Sequence, residues 1–217
     1  MKTLEVRHLK YSIDFPELEL ISSQLDTFGQ GELIDNVNWK EFPYKPEVRF
    51  NIAYSGNELF LKFYVREEFV KAEMTTPDQA VWEDSCVEFF VSPANDGIYY
   101  NFEINPIGTC LLAAGTSRTD RSRPDISIVK KIRIVGSMGS VPFKEKSGDN
   151  IWTITMAIPF GVFYLHKPGN IGNKSLKANF YKCGDKLSIR HYLSWNKIET
   201  GKPDFHQPGY FGLLNFA

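Results

Sequence analysis

From about residue 48 onward, apolar and polar residues alternate with a period of two in one short stretch after another. In Leu59-Phe60-Leu61-Lys62-Phe63-Tyr64-Val65-Arg66 the odd positions are all apolar, while Lys62 and Arg66 fall on the other side. Ile151-Trp152-Thr153-Ile154-Thr155-Met156-Ala157-Ile158 repeats the pattern, with Trp152, Ile154, Met156 and Ile158 on one side. Ile126, Ile128, Ile132 and Ile134 give a third instance. Period two is the side-chain period of a strand half buried against a core, and no sustained 3.6-residue period competes with it. Further strands are expected at 48–54, 86–91, 99–105, 175–181 and 211–216. Ser55-Gly56-Asn57, Asn95-Asp96-Gly97 and Ser147-Gly148-Asp149-Asn150 are turn signals between them.

Many short strands separated by turns predict an all-β fold: an antiparallel β-sandwich, jelly-roll-like, in one domain spanning 1–217. At 217 residues such a domain buries roughly 70% of its unfolded surface and needs no staples. Residues 1–30 are less regular, broken by Pro16 and Gly29, and read as a lead-in that wraps the sandwich. Segment 115–125, with Arg118, Arg121 and Arg123, reads as a long exposed loop.

Bulk charge excludes some functions. A net charge of −1 lacks the basic footprint of a nucleic-acid binder. The one basic run, Lys130-Lys131-Ile132-Arg133, reads as the solvated side of a strand. No stretch reaches the ~20 apolar residues of a membrane helix. The N-terminus has no apolar h-region, so a soluble chain is expected, cytoplasmic unless a leader has been removed. Cys86, Cys110 and Cys183 have no metal-ligand spacing, and Cys86, inside a strand, reads as a buried free thiol. The four histidines show no paired ligand spacing, and no nucleophile elbow or phosphate loop is present.

One region carries candidate binding chemistry. Trp82 stands in a polar loop between Ala80 and Glu83-Asp84-Ser85, whereas core tryptophans lie within apolar alternation as Trp152 does. Exposed large aromatics mark binding surfaces, so Trp82 reads as a stacking platform; the bland alternative is a ring capping the sandwich edge. Six residues on, Glu88 shares a strand side with Cys86 and Phe90. A lone carboxylate there is costly to bury unless paired, which points it into a cleft or at an unidentified cation. On the following strand, Asn101, Glu103, Asn105 and Tyr99 share a side too polar for core, either a solvated outer face or a groove floor beside Glu88. Aromatic rings beside fixed acids and amides suit a sugar.

The order of Trp82, Glu88 and Tyr100-Asn101-Phe102-Glu103-Ile104-Asn105-Pro106 resembles the family 9 carbohydrate-binding modules, as found appended to xylanases. Ile34-Asp35-Asn36-Val37-Asn38-Trp39 resembles that family's opening element, and Tyr210-Phe211-Gly212-Leu213 its closing strand with a Phe-Gly pair. The resemblance covers most of the chain. It implies a non-catalytic module that binds glucose- or xylose-type saccharides, cello- or xylo-oligosaccharides, in support of polysaccharide catabolism. Trp82 would form one wall of the sugar slot, and the Glu88 carboxylate would accept hydrogen bonds from sugar hydroxyls. The second wall falls to Trp195, whose side shared with Leu193 also fits core burial, or to Phe205 with His206 in the closing loop. Asn101 and Glu103 complete the set. No cofactor is expected, apart from a structural calcium, which the family carries and which Asp84 or Asp96 would hold; no EF-hand-like loop supports it. Two other readings stay open: a glycoside hydrolase using Glu88 and Glu103 as its paired acids, and a sandwich whose exposed rings meet a protein partner.

Overall fold

A computed structural model describes residues 1–11, 13–77, 79–94, 96–166, 172 and 174–216. Asp78 of the loop before Trp82 and Asn95 of the expected 95–97 turn lie outside them. The strands are β1 (Thr3–His8), β2 (Glu32–Leu33), β3 (Asn36–Val37), β4 (Glu47–Tyr54), β5 (Glu58–Ala72), β6 (Cys86–Ser92) and β7 (Tyr99–Ile104). They continue as β8 (Cys110–Gly115), β9 (Arg121–Ser122), β10 (Arg133–Gly136), β11 (Phe143–Pro159), β12 (Lys174–Cys183), β13 (Tyr192–Ser194) and β14 (Gly212–Phe216). Two helices, α1 (Leu18–Asp26) and α2 (Ile126–Val129), interrupt them. The strands form one curled sheet in the order β10-β11-β5-β4-β1-β14-β12-β6-β7-β8-β9, folded so that its two halves face each other.

The fold is the expected sandwich, but the pairing is mixed rather than purely antiparallel. β1 runs parallel to β14 through Thr3 to Val6, then parallel to β4 through Arg7 and His8. The lead-in thus holds a strand, β1, that joins both halves of the sheet. Helix α1 buries Ile21 and Leu25, one turn apart, on Ala53, Phe60 and Ala157 at the outer side of β4, β5 and β11. The 126–134 alternation is also corrected. Asp125 caps Ser127 N–H at 2.8 Å and starts the short helix α2, and only from Arg133 does a strand begin. Lys130 and Lys131 project from the end of that helix into solvent, while Arg133 turns inward to Glu58 at 2.7 Å. Among the described residues no helix is long and apolar enough to cross a membrane.

Between the halves, Phe180 of β12 stacks on Phe50 of β4 at 3.7 Å and on Phe89 of β6 at 4.9 Å. Trp195 belongs to this core: it is fully buried, packs edge-on to Phe50 and Phe180, and donates Nε1–H to Glu32 at 2.9 Å. The Phe-Gly pair of the closing strand follows from its position. A Cβ on Gly212 would collide with the Trp195 ring and approach Lys2 O to 2.8 Å. Trp195 is therefore no wall of a binding slot, because alternation along β13 turns it inward with Leu193.

One polar network crosses the same core. Lys182 of β12 reaches Glu67 of β5 at 2.8 Å, with both side chains fully buried. Trp152 donates Nε1–H to the other Glu67 oxygen at 2.8 Å. Lys182 also donates to His191 Nε2 at 2.8 Å, which leaves the His191 proton on Nδ1, aimed at Ile189 O. Burial, and next the Lys182 charge, hold the imidazole well below its ordinary pKa, so it stays neutral.

Trp152→Ala should lower unfolding free energy by about 3–5 kcal/mol, since it opens a core cavity and removes a donor from buried Glu67. Half-buried Trp82→Ala should move it far less. Chemical denaturation of both variants in parallel checks this, and the opposite ranking would refute the core assignment.

Candidate saccharide-binding site

The half-sheet β12-β6-β7-β8 is covered on both sides. Val87, Phe89, Val91, Tyr100, Phe102 and Ile104 point into the inter-sheet core, while Cys86, Phe90, Tyr99, Tyr181 and Cys183 point the other way. That outer apolar surface is roofed by Trp39, Ile198, Phe205 and Phe211 from the connecting segments. The side of β7 that carries Asn101, Glu103 and Asn105 is thus neither a solvated face nor core, but the buried floor beneath this roof.

The roof is incomplete over one spot. A small cleft opens between Trp82, Glu88, Glu103, Arg118, Arg121, Cys183, Asp185, Tyr192, Pro203, Asp204, Phe205 and His206. Five residues expected from the sequence meet here: Trp82, Glu88, Glu103, Phe205 and His206. Asn101 lies just beneath and donates from Nδ2 to Glu103 Oε1 at 2.8 Å. Trp195 is absent from the cleft, for the reason given above.

Local chemistry holds each wall. The 3₁₀ turn Val81–Glu83 presents Trp82, and fully buried Asp84 anchors that turn. Asp84 Oδ2 accepts from Glu73 N–H at 3.0 Å, Met74 N–H at 2.9 Å and Asn105 Nδ2 at 3.0 Å. On the opposite side, the Phe205 ring lies flat on Tyr181 (4.2 Å, 8°), and Tyr181 Oη donates to Phe205 O. Trp39 buttresses Phe205 at 6.0 Å, and Tyr192 meets it edge-on at 6.1 Å.

The two acids proposed for calcium already have other partners. Asp84 Oδ2 is filled by three N–H donors, and the nearest cation to Oδ1 is the Lys71 ammonium at 3.7 Å. Asp96 is exposed and paired with His166 at 2.8 Å. Calcium takes six to eight oxygen ligands, and among the described residues neither acid belongs to a cluster of three acidic, histidine or cysteine side chains.

Glu88 and Glu103 stand directly opposite each other on β6 and β7, each 3% exposed. Burial, and next the Glu103 charge, push the Glu88 carboxyl well above its ordinary range, against a hydrogen bond from the Cys183 thiol to Oε1 at 3.0 Å. Burial likewise raises Glu103, opposed by Arg121 at 3.8 Å and by Asn101. Two buried carboxyls this close cannot both ionise freely, so near neutrality the pair holds a proton. Glu88 is therefore not the isolated charged acceptor that the sequence suggests. Glu103 Oε2 and Asn101 Oδ1 are buried acceptors without a hydrogen-bond partner.

His206 spans Tyr99 Oη (2.9 Å from Nδ1) and Arg121 Nη1 (3.4 Å from Nε2). Arginine has no acceptor, so Nε2 is bare and Nδ1 carries the proton. Burial, and next Arg121, lower the His206 pKa to about 3, leaving a neutral ring at the rim. The missed residues are Arg118, Arg121, Cys183, Asp185, Tyr192, Pro203 and Asp204. The arginines come from the segment read as exposed loop, where β9 pairs with β8 and swings Arg121 over Glu103.

A β-sandwich with a stacking ring, paired acids and a rim of donors is the build of a sugar-binding module. A family profile for carbohydrate-binding family 9 matches residues 24–216, and the chain belongs to that family, whose members are non-catalytic binding modules. A solved Bacteroides uniformis protein, provisionally assigned to carbohydrate binding, is 41% identical over 100% of this chain and 99% of its own, with a TM-score of 0.95. A family 9 module from Caldicellulosiruptor kristjanssonii solved with glucose shares the fold (TM-score 0.60, 13% identity, 100% and 96% coverage). So does one from that organism solved with cellotriose (TM-score 0.59, 12% identity, 99% and 93% coverage). No curated protein matches the chain. Family membership removes the hydrolase reading. Glu88 and Glu103 sit side by side on adjoining strands of one floor.

Because Glu88 and Glu103 bind protons more tightly in the folded than in the unfolded chain, stability should fall as pH rises from 4.5 to about 7, the interval over which Glu103 is shifted. Glu103→Gln removes one member of the pair. Across that interval it should gain on the wild type by on the order of 1–3 kcal/mol in denaturation measured against pH. Parallel pH profiles for the two proteins would contradict the shared proton.

Proposed function

We propose that this cleft binds a neutral glucose- or xylose-type saccharide, as a monosaccharide or the end of a cello- or xylo-oligosaccharide, in support of polysaccharide catabolism. The observation that carries the reading is a half-buried tryptophan that shares the cleft with the buried carboxyl oxygens of Glu88 and Glu103, Glu103 Oε2 lacking a hydrogen-bond partner. A sugar ring supplies an apolar C–H face for the indole and hydroxyl donors for those acceptors. The C. kristjanssonii family 9 structures solved with glucose and with cellotriose favour the glucose series. Trp82 stacks on one ring face; Phe205, Tyr192 and His206 bound the other side; Glu88, Glu103 and Arg121 take the hydroxyls. Acids and arginines are mixed around the slot and the acid pair holds a proton, so a neutral ligand suits it. Buried polar groups left unpaired by a ligand lacking the matching hydroxyl make the binding selective.

Calorimetric titration with glucose, xylose, cellobiose and xylobiose tests this. Trp82→Ala should weaken binding by roughly 1–3 kcal/mol through the lost ring contact. Glu88→Gln keeps the shape but changes the acceptor and the pair's proton, and should weaken it by roughly 1–3 kcal/mol. Absence of heat with every sugar at millimolar concentration would refute the proposal.

A further inference from the structure

The geometry points to a second ligand site beneath the saccharide cleft: a three-coordinate protein site for a thiophilic divalent cation, formed by Cys86, Cys183 and Glu88. It goes beyond sugar binding and does not depend on it. Antiparallel register sets Cys183 of β12 directly across from Cys86 of β6, and Glu88 follows two residues along β6 on the same side. One donor atom from each, the two sulfurs and a carboxylate oxygen, lie within 4.8 Å of one another, and all three side chains are buried. Cys183 Sγ and Glu88 Oε1 are already 3.0 Å apart.

Zinc bonds of about 2.3 Å to sulfur and about 2.1 Å to a carboxylate oxygen, held tetrahedrally, keep ligand atoms roughly 3.5–3.8 Å apart. The three donors span this distance with side-chain adjustments on the order of an ångström. Two thiolates with one carboxylate are a soft-to-borderline set, which selects zinc and its relatives over magnesium or calcium. Cys183 and Glu88 line the cleft whereas Cys86 lies behind them, so the fourth position opens toward the cleft, which is also the entry path. Binding replaces the S–H···O bond between Cys183 and Glu88 with metal bonds; both thiol protons leave to solvent, and the proton shared by the acid pair stays on Glu103, so that Glu88 ligates as a carboxylate. The third cysteine supplies an internal control: Cys110 is buried in the inter-sheet core, on the other side of the sheet.

The reduced full-length chain would be titrated with cobalt(II), then with zinc(II). The site predicts one ion per chain, a sulfur-to-cobalt charge-transfer band and its loss on adding zinc. Cys86→Ala and Cys183→Ala should each lose the band and about tenfold or more in affinity, while Cys110→Ala keeps both. Thermal melts of every variant separate lost ligation from lost folding. No band and no zinc heat in folded, reduced wild type would overturn the site, as would a band that survives both Cys86→Ala and Cys183→Ala. Titrating the same preparation with glucose and cellobiose in chelator keeps the proposals apart. Sugar heat without a cobalt band removes only the metal site, and a band without sugar heat removes only the saccharide reading.

Discussion

The structure around the site depends on one constraint: β6, β7 and β12 are buried on both faces. A strand with one wet face can leave its outward residues to water, but here the outward residues sit beneath a second apolar layer. Glu88, Asn101 and Glu103 are therefore carried into the interior by strand alternation itself. Desolvated polar groups need partners, and the layer above supplies them only in part, through Cys183, Arg121 and the amide of Asn101. Where that layer is open, Trp82, Phe205, Glu88 and Glu103 line one cleft.

The two faces of this half-sheet solve their polar burial differently. On the inner face, Lys182 and Glu67 form a closed ion pair, with Trp152 and His191 taking up adjoining bonds. Such a pair contributes little net stability against an apolar core, yet losing one partner is expensive. On the outer face, the Glu88–Glu103 pair lowers its own charge by holding a proton. His206 remains neutral for the same reason, burial beside a fixed arginine. A slot built this way has little net field, and its selectivity rests on the positions of its donors and acceptors.

Much of the site was legible before the fold. Trp82 stood out because a polar loop gives a large ring no reason to be there, and Glu88 because a carboxylate interrupts an apolar strand. Phe205 and His206 came from the resemblance of the closing segment to the family. Arg121 was not legible. Its neighbours are Ser, Thr, Asp and Arg, the composition of any exposed loop, and only pairing of β9 with β8 brings it over Glu103. Tyr192 and Asp185 were hidden likewise, since they face the cleft only once the chain after β12 has turned back across the sheet.

The sequence by itself determined the long strands of the sandwich and the face on which each of their residues lies, because side-chain alternation is a local property of the extended backbone; the short strands and the 126–134 segment were not determined this way. The helix at 18–26 was not read from the sequence: its apolar spacing, Leu18, Ile21 and Leu25, spans too few turns to stand out against the strand pattern. Only the tertiary structure decided which face counts as interior. Trp195 could have been wall or core until Gly212 and Phe180 were seen to close around it. Parallel insertion of β1 between β14 and β4, and burial of the Asn101–Glu103 face, were equally undecided. Each depends on partners far away in the chain, and burial is a relation between segments that no local pattern encodes.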